Sequence, residues 1–162
     1  GARLIITVDC GITDVAEIEL CNSRGVDVIV TDHHLPLMRM PAAFTILDAK
    51  QQDETYPFKD LCGTGMAFKL ACALLTQDYF ITRVNKGFEK WLLDLVAVAT
   101  VADMMPLLGE NRTLVIYGLK VIERTRWPGI ASLVKNTLFQ ILFGDLYLEL
   151  LFLYFLSAFF RK

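Results

Sequence analysis

The sequence predicts an α/β fold: a mainly parallel sheet of three or four strands flanked by helices, followed by a helical C-terminal part. Two observations carry this. Three short apolar runs rich in β-branched residues, LIITVD (4–9), VDVIV (26–30) and AFTILD (43–48), fall early in the chain, and continuous runs of that kind read as strands buried on both faces of a parallel sheet. From Gly63 onward the strand signature gives way to apolar residues at helical spacing.

Taken in order, LIITVD ends on an acid and is broken by Cys10-Gly11-Ile12-Thr13. Asp14 then suits a helix N-cap, with Glu17 three positions on as an acidic version of the capping box. Val15, Ile18 and Cys21 share a face of that helix, and Gly25 supplies the stop. Strand, helix and VDVIV make one βαβ unit, whose right-handed crossover leaves both strands parallel with Asp9 and Asp32 at the same edge. AFTILD follows a loop punctuated by Pro36 and Pro41, and a polar loop, AKQQDETYPFKD, follows it. Gly63 and Gly65 open the helix GTGMAFKLACALL. Trp91 to Met105 forms an apolar helical stretch ended by Pro106. Glu110 to Thr125 offers Leu114, Tyr117, Leu119 and Val121 to a core, and Pro128-Gly129 starts a short helix, IASLVKN.

At 162 residues the chain has the size of one domain, large enough to bury about two thirds of its unfolded surface. A net charge of −2 provides no basic field for non-specific binding to phosphate backbones, so a nucleic-acid role must rest on a local site. Cys10, Cys21, Cys62 and Cys72 form no C-x-x-C pair, and no secretory leader precedes them, which points to reduced thiols and a cytoplasmic protein. The chain begins with Gly1 and enters a strand at once, so a fragment of a longer protein is expected. The segment 137–162 stands apart as a hydrophobic helical tail. Its length suits a membrane span, but Asp145 and Glu149 interrupt it, and a central acid costs roughly 2.5–3.5 kcal/mol on insertion. A helix packed on the domain is the expectation, and a membrane role is not.

The residues fit for chemistry converge on strand ends, where parallel sheets place their ligands. Asp32, His33 and His34 follow the second strand, Asp9 follows the first, and the two histidines are the only ones in the chain. Carboxylate and imidazole together suit a divalent transition metal such as Mn²⁺, with Mg²⁺ less suited to a nitrogen ligand. The alternative is that Asp32 and His33 only cap a loop. Asp103, in ATVADMMP, needs a metal or a donor if it is buried, or else lies at a solvent-facing helix end. Gly63 and Gly65 are able to present N–H groups to an anion, or simply to permit tight packing. Lys69, Arg112, Lys120, Arg124 and Arg126 offer phosphate contacts, or a solvated face.

Four phrases in order, LIITVDCGI, VIVTDHH, YPFKDLCGTGMAFKL and LLDLVAVATVADMMPLLGENRTLVIYGLKVI, resemble the DHH phosphoesterase superfamily over about residues 3–136. Within it they resemble the RecJ-type single-strand-specific exonucleases. The resemblance implies a partial DHH catalytic domain over 1–136 and a two-metal Mn²⁺ centre. Asp9 matches an aspartate that bridges the two ions, and His33 and Asp103 match further metal ligands. His34 matches the histidine beside the scissile phosphate, while Asp32 orients its neighbours. Gly63, Gly65 and Arg112 are weaker substrate-binding candidates. The implied reaction is phosphodiester hydrolysis that releases mononucleotides from the 5′ end of single-stranded DNA in repair and recombination, with a single-strand-binding protein or helicase as partner.

The family's first motif, of D-x-D type on an earlier strand, is absent from this sequence, as are the domains that form the DNA channel. Little nuclease activity is therefore expected of this chain alone. Two other readings are a DHH phosphoesterase for a small substrate, such as a cyclic dinucleotide, oligoribonucleotide or pyrophosphate, and a non-catalytic interaction module.

Overall fold

The computed structural model describes the backbone of residues 1–143 and the side chains of residues 1–136. Three strands, β1 (Leu4–Val8), β2 (Asp27–Thr31) and β3 (Thr45–Leu47), form a parallel sheet in the order β1-β2-β3. Helix α1 (Val15–Ser23) makes the β1–β2 crossover. After β3 come α2 (Gly63–Leu74), α3 (Asp78–Ile81), a 3₁₀ turn (Phe88–Leu92), α4 (Leu93–Ala102), α5 (Gly109–Ile122) and α6 (Pro128–Phe143). The α/β expectation holds, with three strands and a helical second half. The tail expected over 137–162 lies outside the described residues apart from the backbone of α6. Among the described residues no helix is long and apolar enough to cross a membrane.

The sheet separates two apolar clusters, as the alternation of side chains along a strand requires. Val28 and Val30 of β2 pack with Ile18 of α1 and with Ile46, whereas Leu47 joins Ala49, Leu61, Met66, Val96 and Leu114 on the side of α2, α4 and α5. β1 departs from the expected strand buried on both faces. It is the outer strand of the described sheet, β2 is its one neighbour, and Leu4, Ile5, Ile6 and Val8 are all exposed.

Three local details also depart from the sequence reading. Asp14 occupies the N-cap of α1 but makes no side-chain capping bond; its carboxylate takes a long contact from the Thr13 hydroxyl (3.4 Å) instead. The stretch 91–105 splits into a 3₁₀ turn and α4, which stops at Ala102, before Pro106. There Met104 adopts φ 53°, its N–H reaches the Val101 carbonyl (3.0 Å), and the N–H of Met105 reaches the Thr100 carbonyl (3.1 Å). This is a Schellman ending with methionine in the place glycine usually takes. On α5 the buried face is Asn111, Leu114, Val115 and Gly118, an i, i+3, i+4, i+7 stripe. Tyr117 and Leu119 point outward. Gly118 sets this rotation, because a Cβ there would sit 2.3 Å from the Leu93 carbonyl oxygen and 2.5 Å from the Ala97 Cβ of α4.

Candidate metal centre

Strand register builds the site. Val8 is paired with Thr31, and Thr31 with Leu47, so the three strands end level. The next residue of each is an aspartate: Asp9, Asp32 and Asp48. The ladder continues one step further, with the Asp9 N–H on the Thr31 carbonyl (2.9 Å) and the Asp32 N–H on the Leu47 carbonyl (3.0 Å).

Asp9 has a left-handed backbone, φ 65°, a conformation aspartate tolerates better than most residues. Its half-exposed carboxylate thereby leaves the strand direction. Gly63 at the start of α2 makes room for it: a Cβ on Gly63 would lie 2.5 Å from the Asp9 Cα and 2.4 Å from Oδ1. His33 Nε2 lies 3.0 Å from Asp9 Oδ1 and 3.6 Å from Asp103 Oδ2. Asp103 is the C-cap of α4, and the turn at Met104 ends the helix so that this carboxylate faces His33 rather than continuing along the helix surface. The His33 side chain is largely buried and the Asp103 side chain one-third exposed. Both Asp9 and Met104, the left-handed non-glycine residues of the described chain, therefore adjoin one cluster, as strained backbone at functional sites tends to.

Asp32 has a different role from its neighbours. It is 1% exposed; Oδ2 accepts the Ile12 N–H (3.0 Å), and Oδ1 accepts the N–H groups of His33 (2.7 Å) and His34 (3.3 Å) and lies 2.7 Å from His34 Nδ1. Burial alone would raise its pKa, but these hydrogen bonds outweigh it and hold the carboxyl below the usual aspartate range. With Nδ1 turned to Asp32, His34 presents Nε2 from an exposed ring. The rings of His33 and His34 are 4.5 Å apart.

The glycines expected to present N–H groups are both buried. Gly65 donates its N–H to Cys62 Sγ (3.3 Å) at the N-cap of α2, and Gly63 packs on Asp9. Arg112 lies exposed in the first turn of α5. Lys69 pairs with Glu110, which also accepts the Tyr56 hydroxyl (2.6 Å), and Arg126 stacks on Trp91. Lys120 lies over Tyr117, and Arg124 lines a groove beside it.

Two buried polar residues add to the set that the sequence reading picks out. Asn111 is wholly buried and donates to the carbonyls of Asp60 (2.6 Å) and Pro106 (3.1 Å), which ties the loop after Asp103 to the start of α2. Asp48 is the third strand-end acid. Its signal in the sequence is the repeated apolar-run-then-Asp pattern, ITVD, IVTD and TILD.

One ligand atom each from Asp9, His33 and His34 lies within 4.8 Å of the others. Two ligands held about 2.1 Å from one ion are about 3.0–3.4 Å apart; the 3.0 Å spacing of His33 Nε2 from Asp9 falls in that range and the 3.6 Å spacing from Asp103 lies just beyond it, and the mixed oxygen and nitrogen donors suit a transition metal.

A parallel sheet that delivers acids and imidazoles from its strand ends into one cluster defines an α/β protein with a candidate ligand cluster at its strand edge. The chain belongs to the DHH family: the DHH family, N-terminal domain, matches residues 3–100. Its relatives include the single-stranded-DNA-specific exonucleases RecJ of Bacillus subtilis strain 168, 44% identical over 135 residues, and of Escherichia coli K12, 44% identical over 142 residues. Each comparison covers 83% of this chain but only 16% and 24% of the relative, so the chain spans about a quarter or less of their length. Among solved structures, exonuclease RecJ bound to manganese superposes with a TM-score of 0.69 at 38% identity, over 83% of this chain and 33% of that one. RecJ from Thermus thermophilus in complex with Mn²⁺ gives 0.68 at 37% identity, over 83% of this chain and 19% of that one.

Proposed function

We propose that residues 1–136 are the part of a RecJ-type DHH catalytic domain that supplies Asp9, His33 and Asp103 as ligands of a Mn²⁺ centre, which Mg²⁺ is also able to occupy. The whole protein in this reading is a 5′-to-3′ exonuclease on single-stranded DNA, cytoplasmic, acting in repair and recombination beside a single-strand-binding protein or helicase. The observation that carries it is the convergence of His33 Nε2 with Asp9 and Asp103 from three separate elements.

The metal, when bound, polarises the phosphate and acidifies a coordinated water. Asp9 and Asp103 bring negative charge from either side of His33. His34 keeps Nε2 directed outward for the scissile phosphate, because Asp32 holds the other ring nitrogen and the backbone beneath it. Asp32 is a positioning residue here. Gly63 and Gly65 act through packing, and Arg112 remains a phosphate contact. The exposed apolar side chains of β1, next to Asp9, suit a further strand on that side, where the D-x-D motif of the resemblance would stand.

Calorimetric titration of the chain with Mn²⁺ tests the centre. Binding is expected in wild type and at least tenfold weaker in His33→Ala; equal affinity in the two overturns the reading. For the activity, a polypeptide carrying this segment at the length of its relatives is expected to release mononucleotides from 5′-labelled single-stranded DNA with Mn²⁺. Preference for a cyclic dinucleotide or pyrophosphate over DNA would instead favour a small-substrate phosphoesterase.

A further inference from the structure

Asp48 ends β3 level with Asp9 and Asp32, yet neither the ligand cluster nor the core accounts for it. It is 1% exposed. Oδ1 accepts the Lys50 N–H (2.8 Å), and Oδ2, also buried, has no hydrogen-bond partner. Such an atom ordinarily costs about 1–3 kcal/mol, and few native groups are left so. A second buried atom of the same neighbourhood is also unpartnered: Nδ1 of His33, the ring nitrogen opposite the one that faces Asp9 and Asp103. The two groups lie within electrostatic range. Burial first and then the charge of Asp32 push the Asp48 carboxyl above the ordinary aspartate range, against the Lys50 N–H bond, the Lys50 charge and, least, His33.

The chemistry of the two unpartnered atoms is complementary. A histidine that ligates through Nε2 carries its proton on Nδ1, and that N–H ordinarily donates to a carboxylate, a carbonyl or a water, which sets the tautomer and the ring plane. We propose that Asp48 is the positioning residue of His33, its Oδ2 accepting a hydrogen bond from one bridging water that in turn accepts the Nδ1–H, and so keeping the Nε2 lone pair aimed between Asp9 and Asp103. Asp32 then orients His34 and Asp48 orients His33, one strand-end acid for each histidine. The inference rests on the reading of Asp9, His33 and Asp103 as a metal centre.

Two variants separate hydrogen bonding from charge and from packing. Asp48→Asn keeps an acceptor oxygen and removes the charge; Asp48→Leu keeps the volume and removes the acceptor. The Mn²⁺ affinity of the chain, measured by calorimetry, is expected to stay within about threefold in Asp48→Asn and to fall at least tenfold in Asp48→Leu. Equal losses in both, or no loss in Asp48→Leu, overturn the proposal. The ¹⁵N chemical shifts of the His33 ring in the metal-free chain, assigned with His34→Gln, give a readout independent of metal. Nδ1 is expected to be protonated in wild type and in Asp48→Asn, and to shift toward the unprotonated value in Asp48→Leu. An unprotonated Nδ1 in wild type overturns the proposal even if Asp48→Leu does not fold. A chain that binds no Mn²⁺ but shows this ¹⁵N pattern loses the metal centre and keeps the water-bridged link from Asp48 to His33, so the two failures are distinguishable.

Discussion

β1 and β2 are near twins in composition, pair with each other residue for residue, and are each followed by an aspartate, but their surroundings are opposite. Val28 and Val30 of β2 are 2% and 0% exposed, whereas Leu4 and Val8 of β1 are 50% and 47% exposed. The acids follow their strands. Asp32 is sealed and its oxygens are occupied by backbone and imidazole donors; Asp9 is half-exposed and turned by a left-handed backbone toward His33. One local pattern thus makes a scaffold carboxylate where the strand is covered and an available ligand where it is open. The difference is physical: a buried carboxylate with unfilled lone pairs is costly, burial at Asp32 is offset by filling them, and filled lone pairs are not free for a metal.

The largest expected effect comes from exchanging those roles. Asp32→Ala strands the buried N–H of Ile12 and loosens the turn into His33, so chemical denaturation should show a loss of about 3 kcal/mol or more, from two or more unmade bonds at about 1–3 kcal/mol each. Asp9→Asn, which keeps a residue tolerant of the left-handed backbone, should leave stability within about 0.5 kcal/mol while weakening Mn²⁺ binding. A stable Asp32→Ala would break the contrast between the two acids. Next in size are the strands themselves. Val30→Ala is expected to cost about 2 kcal/mol and Val8→Ala no more than about 0.5 kcal/mol; equal losses would show that β1 is covered in solution.

The smallest effect is on pH. The folded pKa of Asp32 lies below its unfolded value, so its contribution is present above about pH 4 and is lost as pH falls below that toward the folded value. Asp48, pushed upward by burial, works with the opposite sign and loses stability as pH rises through its folded value. Denaturation midpoints followed from pH 6 to pH 3 should therefore show an acid loss that Asp32→Asn removes.

Much of this is legible in the linear chain. The short β-branched runs, the helical spacing after residue 62 and the punctuation by Gly25 mark the elements, because strand and helix periods are local properties. Asp9, Asp32, His33, His34 and Asp103 are visible as metal-grade side chains at element ends. The α5 face is not: Tyr117 and Leu119 are apolar enough to suggest a core, but Gly118 admits close packing only when Asn111, Leu114 and Val115 turn inward. The exposure of β1 is equally hidden, since strand composition carries no count of neighbours. Asp48 is marked only by the repeated apolar-run-then-Asp pattern it shares with Asp9 and Asp32, and nothing local shows that its carboxylate is buried with one oxygen unfilled.

By itself, then, the sequence determined the order of the elements and the donor chemistry available at their ends, since both depend on residues a few positions apart. Only the tertiary structure decided which acid is saturated, which is open, and that Asp103 meets His33 across 70 positions of chain. Those outcomes depend on strand register, on a left-handed turn after α4 and on the absence of a side chain at Gly63, and each acts between segments that local sequence does not connect.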